Sequence, residues 1–441
     1  MSIQTDGELP RRITLLDATL LNVGSMIGSG IFIVPAAVAL HLHSPAEIMT
    51  AWIVGGIVSM CGALSFAELG AMMPHAGGQY VYLKRTYGPL WGFLSGWASF
   101  TVIMTASIAA VAVGFAQYLG AVLHLSAWGI KLTAVGSIVL LTVINAAGTE
   151  LGIRVQNFLT FIKMGALCAV IFFGMTFAQD APLNTASSSA FSLPSFGLAM
   201  MAVLWAYDGW VDLSFVAGEI KDPGRTIPRS LFLSTAIVTV LYLAVNAALL
   251  SVLSIDAMGT SAQVVSDAAL VMFGGIGVTA VALAIAVSML GANNAFVFTA
   301  PRIYYAMARE RLFFSPMALL HATKRTPVVA LIAQAVWACV LVFLGTFDQL
   351  ITYIVFSIWI FYAMSCAAVI ILRYREPDAV RPYSTWGYPF TPVLFILFSL
   401  GLVINTVIED PQSSLIGLVL IFSGIPAYWY WNNNIGKRDN Q

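Results

Sequence analysis

The groups in this chain able to hold a small charged molecule all lie inside apolar surroundings. Residues 23–32 read VGSMIGSGIF, a glycine- and serine-rich interruption of an apolar stretch. Gly28 and Gly30, with Gly24 before them, permit backbone angles closed to other residues, and Ser25 and Ser29 are small enough to let the chain open. A helix restarting near Ile31 leaves the N–H groups of Ser29, Gly30 and Ile31 without intrahelical acceptors. With the positive end of the helix dipole, they can hold a carboxylate. On the near side, carbonyls from Ser25 to Ile27 are free to accept from an ammonium. One opened turn thus offers anion and cation sites side by side, which suits a zwitterion. The alternative is that the small residues only let two helices pack closely.

A second interruption, WAYDGW at residues 205–210, sets Asp208 and Gly209 between Trp205 and Trp210, with Tyr207 before them and Asp212 four residues after Asp208. An acid in mid-span is costly unless it faces protein or water. Asp208 either caps a restarted half-helix, or it, or Asp212, titrates or faces a bound ammonium. Trp205 is a candidate lid over a ligand, or a packing residue. Lys163 lies too deep in its apolar stretch to reach an interface. Facing inward, it can donate to the opened carbonyls of the first interruption, where a sodium ion might otherwise sit; a buried pair with an acid is the other reading.

These groups must be positioned by membrane helices. Of the 441 residues 59% are hydrophobic and 9% charged, with mean hydropathy +0.89, far beyond soluble globular proteins. Apolar windows long enough to cross a bilayer fall near 13–40, 47–72, 90–123, 127–147, 153–178, 195–217, 229–254, 270–308, 328–346, 349–372, 388–407 and 413–431. Eighteen of the 20 basic residues then lie on one side, which places that side and both termini in the cytoplasm of a plasma or inner membrane. No signal peptide is expected ahead of the first window. Cys61, Cys168, Cys339 and Cys366 fall in apolar windows and read as packing residues. The zero net charge points to no nucleic-acid partner. No metal spacing, nucleophile or converging acid pair suggests an enzyme or a cofactor.

The expected fold is an all-α membrane protein of twelve helices forming one domain over residues 1–441. Five helices (13–178) and five more (195–372) form inverted repeats, and two additional helices (388–431) follow. The repeat rests on the paired interruptions in the first and sixth helices. Irregular backbone at membrane depth is tolerated only where it is buried or lines a cavity, so the pair marks a midplane site of a secondary transporter.

Four stretches carry a resemblance: GSMIGSGIF, SFAELGAMMPHAGGQYVYLKRTYGP, LWAYDGW with GEIKDPGRTIPRS, and FTAPRIYYAMARERLFF. On these the chain resembles the amino acid–polyamine–organocation transporters, and among them the bacterial relatives of the L-type amino acid transporters, which include serine/threonine and alanine/serine/cysteine exchangers. The resemblance implies substrate carboxylate at the backbone of Ser29 and Gly30, and substrate ammonium at carbonyls of Ile27 and of the Trp205 to Asp208 segment. It implies Lys163 bracing the fifth helix against the first. Val211 stands where animal members have asparagine, and Asp212 has no place in the family pattern. Residues 124–128 lack the cysteine that attaches a glycoprotein heavy chain in animal members, so no disulfide-linked heavy chain is expected. The expected function is sodium-independent exchange of small neutral L-amino acids across the lipid bilayer by alternating access. A proton-coupled amino acid permease and a cationic amino acid or polyamine carrier are the alternatives. An inner gate among Glu219, Lys221, Asp222, Arg225 and Arg229 is a further expectation, as is pairing of Glu68 with a cytoplasmic arginine.

Overall fold

A backbone in hydrocarbon must satisfy its own N–H and C=O groups, so each apolar window folds as helix. A computed structural model describes residues 3–4, 9–177, 191–344 and 347–438. The first window is two helices, α1 (Leu15–Met26) and α2 (Gly30–His41), bent by 45° at the break. There follow α3 (Pro45–Met72), the short α4 (Gln79–Tyr87), and α5 (Pro89–Ala98), which runs through a π-helical turn (Ser99–Ile103) into α6 (Met104–Leu123). Next come α7 (Ala127–Ala146), α8 (Thr149–Thr176), α9 (Leu193–Ala206), the single turn α10 (Asp212–Phe215) and α11 (Pro223–Val252). Then come α12 (Ile255–Gly259), α13 (Val264–Phe273), α14 (Gly275–Thr299), α15 (Pro301–Arg309), α16 (Val328–Leu344) and α17 (Phe347–Arg375). The chain closes with α18 (Phe390–Glu409), α19 (Pro411–Phe422) and α20 (Gly424–Arg438).

Among the described residues nine helical spans are long and apolar enough to cross a membrane, or ten with α1 and α2 taken as one bent span. The window 270–308 is shorter than expected at its start, because Gly274 in a left-handed conformation separates α13 from α14. Pro301 opens α15, which continues the same apolar span to Arg309. Residues 181–195, a polar stretch between the fifth and sixth apolar windows, lie largely outside the described residues. The four cysteines are unpaired.

The helices α1, α3, α6, α8, α9, α11 and α14 pack around the two breaks: α1 against α8, α11 and α14, α2 against α9, and α14 against α6. At the end of the bundle that carries most of the basic residues, the chain start is strapped down by backbone bonds. Arg12 and Ile13 N–H donate to Glu219 O at 2.8 and 2.9 Å, and Lys221 N–H donates to Ile13 O at 2.9 Å. Residues Ile3–Gln4 pair antiparallel with Leu320–His321, the only sheet among the described residues.

Candidate functional site

At the first break α1 ends where Ile27 N–H closes on Val23 O, and α2 begins three residues later. Among the described residues no carbonyl accepts from the N–H groups of Ser29, Gly30 or Ile31, and the Ser29 hydroxyl makes no capping bond. Three bare donors and a helix N-terminus therefore converge on one spot, a ready site for an anion. The carbonyls on the near side are mostly engaged. Lys163 Nζ, fully buried on α8, donates at 2.8 Å to Gly24 O and at 2.8 Å to Ile27 O. Ser288 of α14 donates to Ile27 O at 3.2 Å and Gly28 O at 3.1 Å. The expectation of a free Ile27 carbonyl is therefore corrected: a protein ammonium and a hydroxyl already occupy it.

The second break opposes the first. Gly209 has φ +110°, a region that side chains disfavour. A Cβ added there would stand 2.8 Å from the Ser25 carbonyl carbon, so only glycine lets the two opened backbones touch. Likewise a Cβ on Gly30 would meet Ala206 Cα at 2.9 Å. Tyr242 of α11 pins both breaks, its hydroxyl shared between Met26 O at 3.0 Å and Ala206 O at 3.1 Å. Tyr207 turns away, donates to Trp52 O at 3.1 Å and packs against the rings of Trp52 and Tyr242. It forms part of the wall that holds the break, not of the cavity surface.

Between the breaks lies a cavity of about 120 Å³, room for a molecule of several heavy atoms. Ser25, Gly28, Ser29, Gly30, Trp205, Asp208, Gly209 and Asp212 line it; Ile27, Tyr207 and Lys163 do not. Asp208 accepts from the Tyr362 hydroxyl at 2.9 Å, and Asp212 accepts from the Ser25 hydroxyl. Sequence reasoning missed Gln79, Ser107, Phe296, Trp359 and Tyr362, which also line it. The π-helical turn also escaped it, although Ser99 and Ile103 of that turn face the cavity. Such turns widen a helix locally and recur at functional sites. The serine-rich run through Ser95, Ser99 and Ser107 was the available signal.

The basic end below the cavity is closed by ion pairs. Glu219 and Arg302, both buried, meet at 2.7 Å, and Thr149 donates to the second Glu219 oxygen at 3.0 Å. Glu68 holds Arg373 at 2.6 Å and the Thr385 N–H at 2.7 Å. Of the five residues expected to form a gate, Glu219 forms an ion pair among the described residues, and its partner, Arg302, was not among the five. Outside the membrane helices, Arg85 grips Glu376 and holds its carboxyl below the usual carboxylate range.

A profile of amino acid permeases matches residues 13–425. The chain belongs to the amino acid permease family. Over 430 residues this permease is 36% identical to the serine/threonine exchanger SteT of Bacillus subtilis (strain 168), covering 96% of this chain and 97% of that protein. It is 32% identical to the human cystine/glutamate transporter over 435 residues, 97% of this chain and 86% of the relative. It is 32% identical to the mouse b(0,+)-type amino acid transporter 1 over 432 residues, 96% and 88% respectively. The permease is thus a multi-pass membrane protein of the amino acid–polyamine–organocation superfamily, L-type-like, and belongs with transporters, not enzymes.

Proposed function

We propose that this permease exchanges small neutral L-amino acids across a plasma or inner membrane by alternating access, independently of sodium. Twelve helices in two inverted five-helix repeats, with two more at the C-terminus and both ends of the chain cytoplasmic, would supply the rocking frame. The observation that carries the reading is the row of unpaired N–H groups at Ser29, Gly30 and Ile31, opening into the same small cavity as Asp208 and Asp212. The substrate carboxylate docks on those donors. Its ammonium turns toward Asp208, Asp212 and the carbonyl side of the second break. Because Ile27 O is already taken, that carbonyl reaches the substrate only through the Lys163 and Ser288 contacts that shape it. Trp205, a lining residue, covers the substrate.

Sodium independence follows from Lys163: its ammonium bonds the Gly24 and Ile27 carbonyls that a bound sodium ion would need. Small neutral substrates are supported by the cavity volume and by the serine/threonine exchanger among the relatives. Residues 124–128 carry no cysteine, so the permease works without a disulfide-linked heavy chain. The test is uptake of labelled serine into vesicles containing the purified protein, with and without internal amino acid, in sodium and in choline buffers. Uptake that needs internal amino acid and ignores sodium is expected. Uptake into empty vesicles at the same rate, or driven by a sodium gradient, overturns the reading.

A further inference from the structure

Asp212 opens α10 at 2% exposure and faces the cavity. Its carboxylate takes the Ser25 hydroxyl, while Asp208, on the same wall, takes the Tyr362 hydroxyl at 2.9 Å. Both donors are neutral, and no lysine, arginine or histidine pairs with either acid among the described residues. The ionisable groups on the packed elements include Tyr362 of α17, Tyr242 of α11, Lys163 of α8 and Glu219. Lys163 is directed at Gly24 and Ile27, and Glu219 is matched by Arg302. The facing side of the cavity holds an independent sign of a ligand: Ser29, 8% exposed, lines it with its hydroxyl unpartnered among the described residues, beside the three bare N–H groups.

A zwitterion satisfies the donors with its carboxylate and offers one ammonium to a wall that carries two acids. Before it arrives, two carboxylates share one wall of a cavity within the helix bundle with no cation paired to either among the described residues, a state that like-charge repulsion and burial oppose. We propose that Asp212 is a proton site linked to the substrate site, protonated while the cavity is empty and deprotonated as the substrate ammonium enters. The carboxyl O–H bond breaks, the proton passes to water on the open side, and the carboxylate accepts an N–H from the ammonium instead. The inference rests on the amino-acid reading above and adds a second cargo to it. Linkage then requires that acid weaken substrate binding, by up to about tenfold per pH unit.

Titration calorimetry on the purified full-length protein with serine, in two buffers of different ionisation enthalpy, counts the protons released per serine bound. Repeating it from pH 5.5 to 8.5 gives the pH dependence of Kd. Close to one proton released is expected, with Kd rising as pH falls; Asp212→Asn binds serine more weakly, with no release and a flat profile, while Asp208→Asn, also weakened, keeps the release. Serine binding by the wild type without proton release overturns the inference, as does unchanged release in Asp212→Asn. If Asp212→Asn does not fold, the wild-type proton count decides alone, and Ser25→Ala must shift the midpoint of the profile. Failure of every neutral amino acid to bind at any pH sinks the amino-acid reading itself, and the linkage with it.

Discussion

Replacing Lys163 with alanine separates a role in transport from one in folding. The ammonium makes two bonds of 2.8 Å, to Gly24 O and Ile27 O, on either side of the residues where α1 ends. A hydrogen bond involving a charged group contributes about 1.5–3 kcal/mol net, so the two together hold the opened turn by roughly 3–6 kcal/mol. Ile27 O keeps its bond from Ser288, which places the loss near the lower figure. About 3 kcal/mol corresponds to roughly a hundredfold fall in the population of the binding-competent turn. Global stability moves far less, because burying an ammonium without an opposite charge costs several kcal/mol, which the substitution recovers. Lys163→Ala should therefore melt close to the wild type while serine uptake into vesicles drops by about two orders of magnitude. The freed carbonyls should also make residual uptake respond to sodium. Wild-type uptake in Lys163→Ala would refute the argument outright; a collapsed melting temperature would show that the lysine serves folding.

Two further outcomes follow from local geometry. Gly209→Ala combines a φ of +110° with a Cβ 2.8 Å from the Ser25 carbonyl carbon, so it should push the two breaks apart and abolish serine binding by calorimetry in a protein that still inserts and folds; undiminished affinity there would mean that the breaks need not touch. The Glu376 carboxyl, held low by Arg85, contributes stability that is present above its unfolded-state range and fades as pH falls through the depressed folded value. Both partners are partly exposed, so a double-mutant cycle of Arg85→Ala and Glu376→Ala should give a coupling of less than about 1 kcal/mol at pH 7 that disappears in strong acid; coupling that grows on acidification contradicts the assignment.

The helices were legible because membrane helices announce themselves through composition. The first break was legible because three glycines and two serines in ten residues have few other uses in hydrocarbon. What the sequence could not supply was direction. Ile27 and Tyr207 sit within the motifs yet turn their groups to Lys163, Ser288 and Trp52. Gln79 and Tyr362, far away in the chain, turn theirs into the cavity. Such facing is set by packing between helices remote in sequence, and hydropathy carries no record of it. Arg302 escaped for the same reason: in sequence it reads as one more basic residue at a helix end, and only α15 packing buries it against Glu219. The division of residues 264–299 at Gly274 was hidden by unbroken hydrophobicity on both sides.

Glu219 accepts from three separate parts of the chain: the N–H groups of Arg12 and Ile13, the Thr149 hydroxyl and the Arg302 guanidinium. A fastener shared in this way resists partial undoing, because withdrawing Arg302 leaves the buried Glu219 carboxylate without its counter-charge. Release is favoured as a single event that moves the chain start, α8 and α15 together. Half-open states, through which solutes and ions would leak down their gradients, are the ones this arrangement penalises most.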